Sequence, residues 1–133
     1  MKHWLVALAL LLVMPSFVHA ACSGPGAYGT AVCADSPVRY YRLNESSGTT
    51  AADSSGNGVN GTYAGSGVTY SVAGPPGITD TAVTFNGSTG KMTGAAPSNF
   101  PFPGNTTFTM EVWVKIPVSF TSATIVQSDG NTG

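Results

Sequence analysis

The run Thr107-Phe108-Thr109-Met110-Glu111-Val112-Trp113-Val114-Lys115 carries the clearest structural signal in the chain. Successive side chains of a strand point to opposite faces. Phe108, Met110, Val112 and Val114 therefore share one side, and Thr109, Glu111, Trp113 and Lys115 share the other. One apolar and one mostly polar face suits a strand that packs on a core and turns its back to water. The alternation predicts a strand over 107–116. The same pattern marks 81–86, where Val83 and Phe85 point together and Ala82, Thr84 and Asn86 oppose them. Shorter runs of Val, Thr and Tyr predict strands over 38–43, 61–64, 68–72, 91–94 and 121–128.

Between these runs stand turn signals: Asn57-Gly58, Asn60-Gly61, Gly74-Pro75-Pro76-Gly77, Asn86-Gly87 and Asp129-Gly130. Pro97, Pro101 and Pro103 make 95–105 a loop. No apolar stripe of helical period reaches a useful length. The expected fold class is all-β, an antiparallel β-sandwich. Residues 121–128 read as a strand and 128–133 as a hairpin turn, with no returning strand after it. A strand that stops at a turn leaves an open edge. The reading is a truncated sandwich that folds poorly by itself.

The chain has 133 residues and a formal net charge of −1, and only 8% of its residues are charged. That length allows one domain. The weak charge gives neither a basic footprint for nucleic acid nor a polybasic membrane patch. Residues 1–20 read as a signal peptide: Lys2 and His3 open it, an apolar run follows from Trp4 to Met14, and Pro15 precedes a small-residue cleavage site at Ala20. Eleven apolar residues fall short of the roughly 20 needed to span a bilayer. Secretion without a membrane anchor after cleavage is the expectation, and a lipoprotein anchored at Cys22 fits less well because His19 precedes the site. Both histidines lie in this leader, so the remainder has no histidine for nucleophile activation or metal binding. In the exported part Cys22 and Cys33 are expected to pair, closing a short segment over 21–33. A reactive thiol would need a neighbouring base, and none is nearby.

The stretch Ala34-Asp35-Ser36-Pro37-Val38-Arg39-Tyr40-Tyr41-Arg42-Leu43-Asn44-Glu45, with the Ser/Gly/Asn-rich segment running on to Tyr63, resembles the laminin G-like domains of the concanavalin A-like lectin/glucanase superfamily. Later pieces follow in the family's order. The segment 80–88 looks like its strand ending in a Phe-Asx-Gly turn, and 108–115 looks like its central strand. The resemblance runs from about residue 32 to the end and implies an incomplete domain over 34–133. It implies a curved two-sheet jelly roll that binds glycans or protein surfaces, as in bacterial and phage extracellular proteins.

Glucanases on that fold place two carboxylates on one strand about 5–5.5 Å apart. Here Glu111 stands alone, with no second acid nearby. The expectation is therefore a binding module and not an enzyme. Trp113 is the first candidate for sugar contact, by stacking on a pyranose face. Glu111 and Lys115 flank it as hydroxyl acceptor and donor, and Tyr40 is a weaker candidate of the same kind. The competing reading buries Trp113 under a loop or a further strand. Asp53, Ser55 and Asn57 occupy alternate oxygen-donor positions before Gly58, but Ala64 stands where a calcium loop needs its bidentate Glu. The choice there lies between a hydrogen-bonded Asx turn and a looser calcium site on Asp53 and Asn57. No other cofactor is implied. Asn44, Asn60, Asn86 and Asn105 begin Asn-x-Ser/Thr sequons, which the resemblance to bacterial proteins implies are unmodified. Two functions follow: a secreted lectin-like module of a larger extracellular protein, or an adhesive module that contacts protein in a cell-surface or phage-tail-like assembly.

Overall fold

A computed structural model describes residues 20–94, 109–119 and 124–125. The leader at 1–19, the loop at 95–105 and most of the expected strand at 121–128 lie outside the described residues, as does Asn105. The described chain is β-rich, with one helix, α1 (Gly26–Ala34), and five strands: β1 (Thr50–Ala51), β2 (Gly61–Ala64), β3 (Val68–Ala73), β4 (Thr81–Phe85) and β5 (Lys91–Thr93). They form two antiparallel sheets, one ordered β1-β2-β5 and the other a β3-β4 pair.

The second sheet is an excursion out of the first. The chain leaves β2, builds the β3-β4 hairpin, and returns so that β5 lies antiparallel to β2, with Tyr63 opposite Met92. The outgoing and returning loops run against each other. Asn86 N–H donates to Gly67 O at 2.9 Å. Gly65, at φ +82°, lies so close to the Thr89 carbonyl that no side chain fits there. Asn86 Oδ1 then accepts the backbone N–H groups of Ser88, Thr89 and Gly90 at 3.0, 2.9 and 3.1 Å, which shapes the return. Side chain thus replaces strand as the backbone's partner in this loop. Within the hairpin, Tyr70 and Ser71 share the place opposite Val83, a bulge that Ser71 accommodates at φ +55°.

The two sheets meet through Tyr63, which is 4% exposed. Its ring stands edge-on to Tyr70 at 5.3 Å and tilted against Phe85 at 6.3 Å. Ala51, fully buried, is the other buried apolar residue among those described. The buried hydroxyl of Tyr63 donates to Glu45 Oε2 at 2.6 Å, and Glu45 Oε1 accepts the Ala52 N–H at 2.7 Å. Burial and the adjacent Glu45 carboxylate push the Tyr63 phenol well above its ordinary range.

Four of the expected strands stand within one residue of the predicted ends. Three features differ from expectation. Residues 38–43 form no strand, only a single bridge from Tyr41 to Asp53. Leu43 at φ +55° ends the extended path, and the Tyr40 N–H is taken by the Asp53 side chain at 3.0 Å in place of a neighbouring strand. Residues 109–116 pair with no described strand, and both of their expected faces are exposed. A strand needs a partner for its backbone groups, and none of the described residues supplies one. Third, the disulfide segment contains α1. Cys22 and Cys33 are bonded, with Cα atoms 5.6 Å apart, so all of the helix but its last residue, Ala34, lies within the closed loop.

Candidate functional site

The site begins with that helix. Pro25 is extended at φ −75°, ψ 132° and starts the first turn without donating a side-chain cap. Thr30 Oγ1 turns back to Gly26 O at 3.0 Å, and Gly29 is buried flat against Gly24, where a Cβ would strike backbone. Such a Gly- and Thr-containing helix is weak by propensity. The disulfide closes it, and Ser23 N–H ties its entry to Ser54 O at 2.9 Å. One consequence is the placement of Tyr28.

Tyr28 lies edge-to-face with Trp113, ring centres 5.8 Å apart and planes at 78°. The Tyr28 hydroxyl donates to Glu111 Oε1 at 3.2 Å, and Trp113 Nε1 donates to the same oxygen at 3.1 Å. Glu111 and Trp113 thus share one side of their segment, two residues apart. Trp113 is nevertheless 63% exposed. The three side chains form an open corner with two aromatic walls and a carboxylate at the join. Partial burial, then the charge and hydrogen bond of Glu111, raise the Tyr28 phenol above its usual value, so it stays a neutral donor.

Tyr40 stands beside this corner. Its hydroxyl end is packed against Gly24, at the entry to α1. Partial burial chiefly raises its pKa. Arg42 opposes that, and the charges of Asp80 and Glu111 reinforce it. Arg42 is already committed: Nε donates to Asp80 Oδ2 at 2.7 Å and Nη2 to Oδ1 at 2.5 Å, while Asn44 Nδ2 adds 3.0 Å to Oδ1. That fork-on-carboxylate pairing holds the Asp80 carboxyl below its ordinary pKa, against a smaller opposing effect of burial. Arg42 and Asp80 form an ion pair, and no ion pair joins exposed Lys115 to Glu111. Of the four residues singled out for ligand contact, the fold brings Trp113 and Glu111 into contact and Tyr40 into electrostatic range, and leaves Lys115 apart. The sequence reading missed Tyr28. Its only signal was an aromatic ring inside a small disulfide loop, with no periodic pattern to aim it.

The Asp53 loop is a hydrogen-bonded turn. Asp53 Oδ1 accepts the N–H groups of Tyr40 and Ser55 at 3.0 and 2.9 Å, and Oδ2 accepts Ser55 Oγ–H and the Val59 N–H at 2.8 and 2.9 Å. Burial would raise this carboxyl, but the four donors outweigh it and the net pKa is lowered. Asn57 presents its amide N–H₂ inward, to Val38 O at 3.0 Å and Ser55 Oγ at 3.1 Å. A cation placed here would have to displace these donors. Among the described residues no three His, Cys, Asp or Glu side chains are grouped to hold a metal, and no helix is long and apolar enough to cross a membrane.

A recess of about 160 Å³ opens beside Tyr28, between residues 25–28 and 77–79. Past the corner, Met110, Val112, Val114 and Ile116 each expose half or more of their surface. No family model, curated protein or solved structure matches the chain.

Proposed function

We propose that this chain is a secreted carbohydrate-binding module, a laminin G-like β-sandwich belonging to a larger bacterial extracellular protein, and that it binds without catalysing. The observation that carries this reading is the exposed Trp113 held edge-to-face by Tyr28, with both polar edges tied to Glu111. An ordered, solvent-facing ring gives a sugar a flat apolar platform at little conformational cost. A carboxylate beside it accepts hydroxyl hydrogen bonds. The disulfide fits export.

The test is a glycan array probed with the full chain. We expect retention of a defined set of glycans, weakened about tenfold or more, roughly 1.4 kcal/mol, by Trp113→Ala. An array that retains nothing, or binding indifferent to Trp113→Ala, overturns the site.

One observation favours a second reading, an adhesive module that contacts protein. Met110, Val112, Val114, Ile116 and Val118 present a row of apolar side chains to solvent, of the kind that marks interaction surfaces. Under that reading, protein capture persists in Trp113→Ala and is lost on Val112→Asp.

A further inference from the structure

The corner's electrostatics narrow the ligand class. We propose that the Tyr28–Trp113–Glu111 corner takes an amino sugar carrying a free ammonium group, in preference to a neutral or N-acetylated one. This rests on the carbohydrate reading and goes beyond it in assigning the ligand a charge.

Three observations converge. The two rings meet at 78° with their centres 5.8 Å apart, so they wall an angle in which a cation meets aromatic surface. Aromatic faces attract ammonium groups through their quadrupole, and paired aromatic walls are the recurring means of holding them. Second, Glu111 supplies a full negative charge at the join, and the groups that hold it, Tyr28 Oη–H and Trp113 Nε1–H, are neutral donors. Among the described residues no cationic side chain forms an ion pair with it. Third, Arg42, whose charge reaches Tyr40 beside the corner, is already paired through two nitrogens with Asp80. Tyr28 also lines the recess between residues 25–28 and 77–79. Lys115, two positions past Trp113, acts against such a ligand by like-charge repulsion, whereas for a neutral sugar it would serve as a donor.

Calorimetric titration of the full chain with three β-1,4-linked hexasaccharides tests this: glucosamine with free amines, N-acetylglucosamine, and glucose. We expect the free-amine oligomer to bind at least about tenfold tighter than the other two, and more weakly as salt is added. Glu111→Gln should erase that preference while circular dichroism stays unchanged, and Lys115→Ala should tighten the free-amine oligomer or leave it as it is. Equal binding of the three oligomers, a preference that survives Glu111→Gln, or weakening by Lys115→Ala overturns the amino-sugar assignment and leaves carbohydrate binding standing. If none of the three binds and the array retains nothing, carbohydrate binding itself has failed.

Discussion

Residues 61–93 and residues 109–119 share one pattern and meet different fates. Both alternate apolar and polar side chains. In 61–93 the alternation is cashed in four paired strands, and Tyr63 joins the two sheets by its contacts with Tyr70 and Phe85. In 109–119 the same alternation finds no described partner, and its apolar row stands in solvent. Its contact with the rest is made by the opposite row, through Glu111 and Trp113 against Tyr28. Alternation fixes which residues share a side. Whether that side is buried depends on a second surface arriving. The difference also separates a region packed between its own sheets from one whose single aromatic ring, Trp113, is mostly exposed.

The largest effect expected from this contrast is at Tyr63. Tyr63→Ala should cost about 3–5 kcal/mol, because it empties the junction between the sheets and strands the Glu45 carboxylate. Trp113→Ala, in the unpaired region, should cost under about 1 kcal/mol despite removing a larger ring. Urea unfolding of both variants measures this, and equal losses would break the contrast.

A middle-sized effect should come from Asp53, which ties the irregular 38–43 segment to the turn before β2. Asp53→Ala leaves several N–H donors without their acceptor and should cost about 2 kcal/mol. The same carboxylate sets an acid limb. Asp53 and Asp80 both have lowered folded pKa values. Their contribution is fully present above the unfolded carboxylate value of about 3.9 and is lost as pH falls through the lower folded values. Thermal melts below about pH 4 should therefore drop less steeply in Asp53→Ala than in the parent chain. If added calcium raised the parent's melting temperature, the turn would have to open around an ion, and the picture of Asp53 as saturated by donors would fall.

The smallest effect should be at Val112. Val112→Thr keeps the branched shape and alters an exposed side chain, so stability should stay within about 0.5 kcal/mol. A larger loss would mean that the apolar row of 109–119 is covered in solution, and would bring the two regions closer in kind.

The strands of 61–93 were legible because their signals are local. Two-residue periodicity and Gly, Asn and Pro turn signals act within a few residues, and they placed β2 through β5 closely. The 38–43 segment misled the same reasoning, since Tyr40, Tyr41 and Arg42 look strand-like. The turn at Leu43 and the capture of the Tyr40 N–H by Asp53 depend on a residue thirteen positions later. Helix α1 was illegible for the opposite reason. It has no amphipathic stripe, and its Gly and Thr residues argue against a helix until the Cys22–Cys33 bond and the Gly24–Gly29 contact enclose it. The candidate site was legible by half: Glu111 and Trp113 fall on one side by arithmetic.

The order of residues settles the β-rich character, the turns, the Cys22–Cys33 pairing and the shared side of Glu111 and Trp113, since each follows from backbone geometry over short spans or from counting two thiols. Folding in three dimensions settles the meeting of Tyr28 with Trp113 across more than eighty residues, the saturation of Asp53 and the junction at Tyr63. Those contacts depend on which surfaces arrive together, and burial is a property of pairs of surfaces that no single stretch of chain contains.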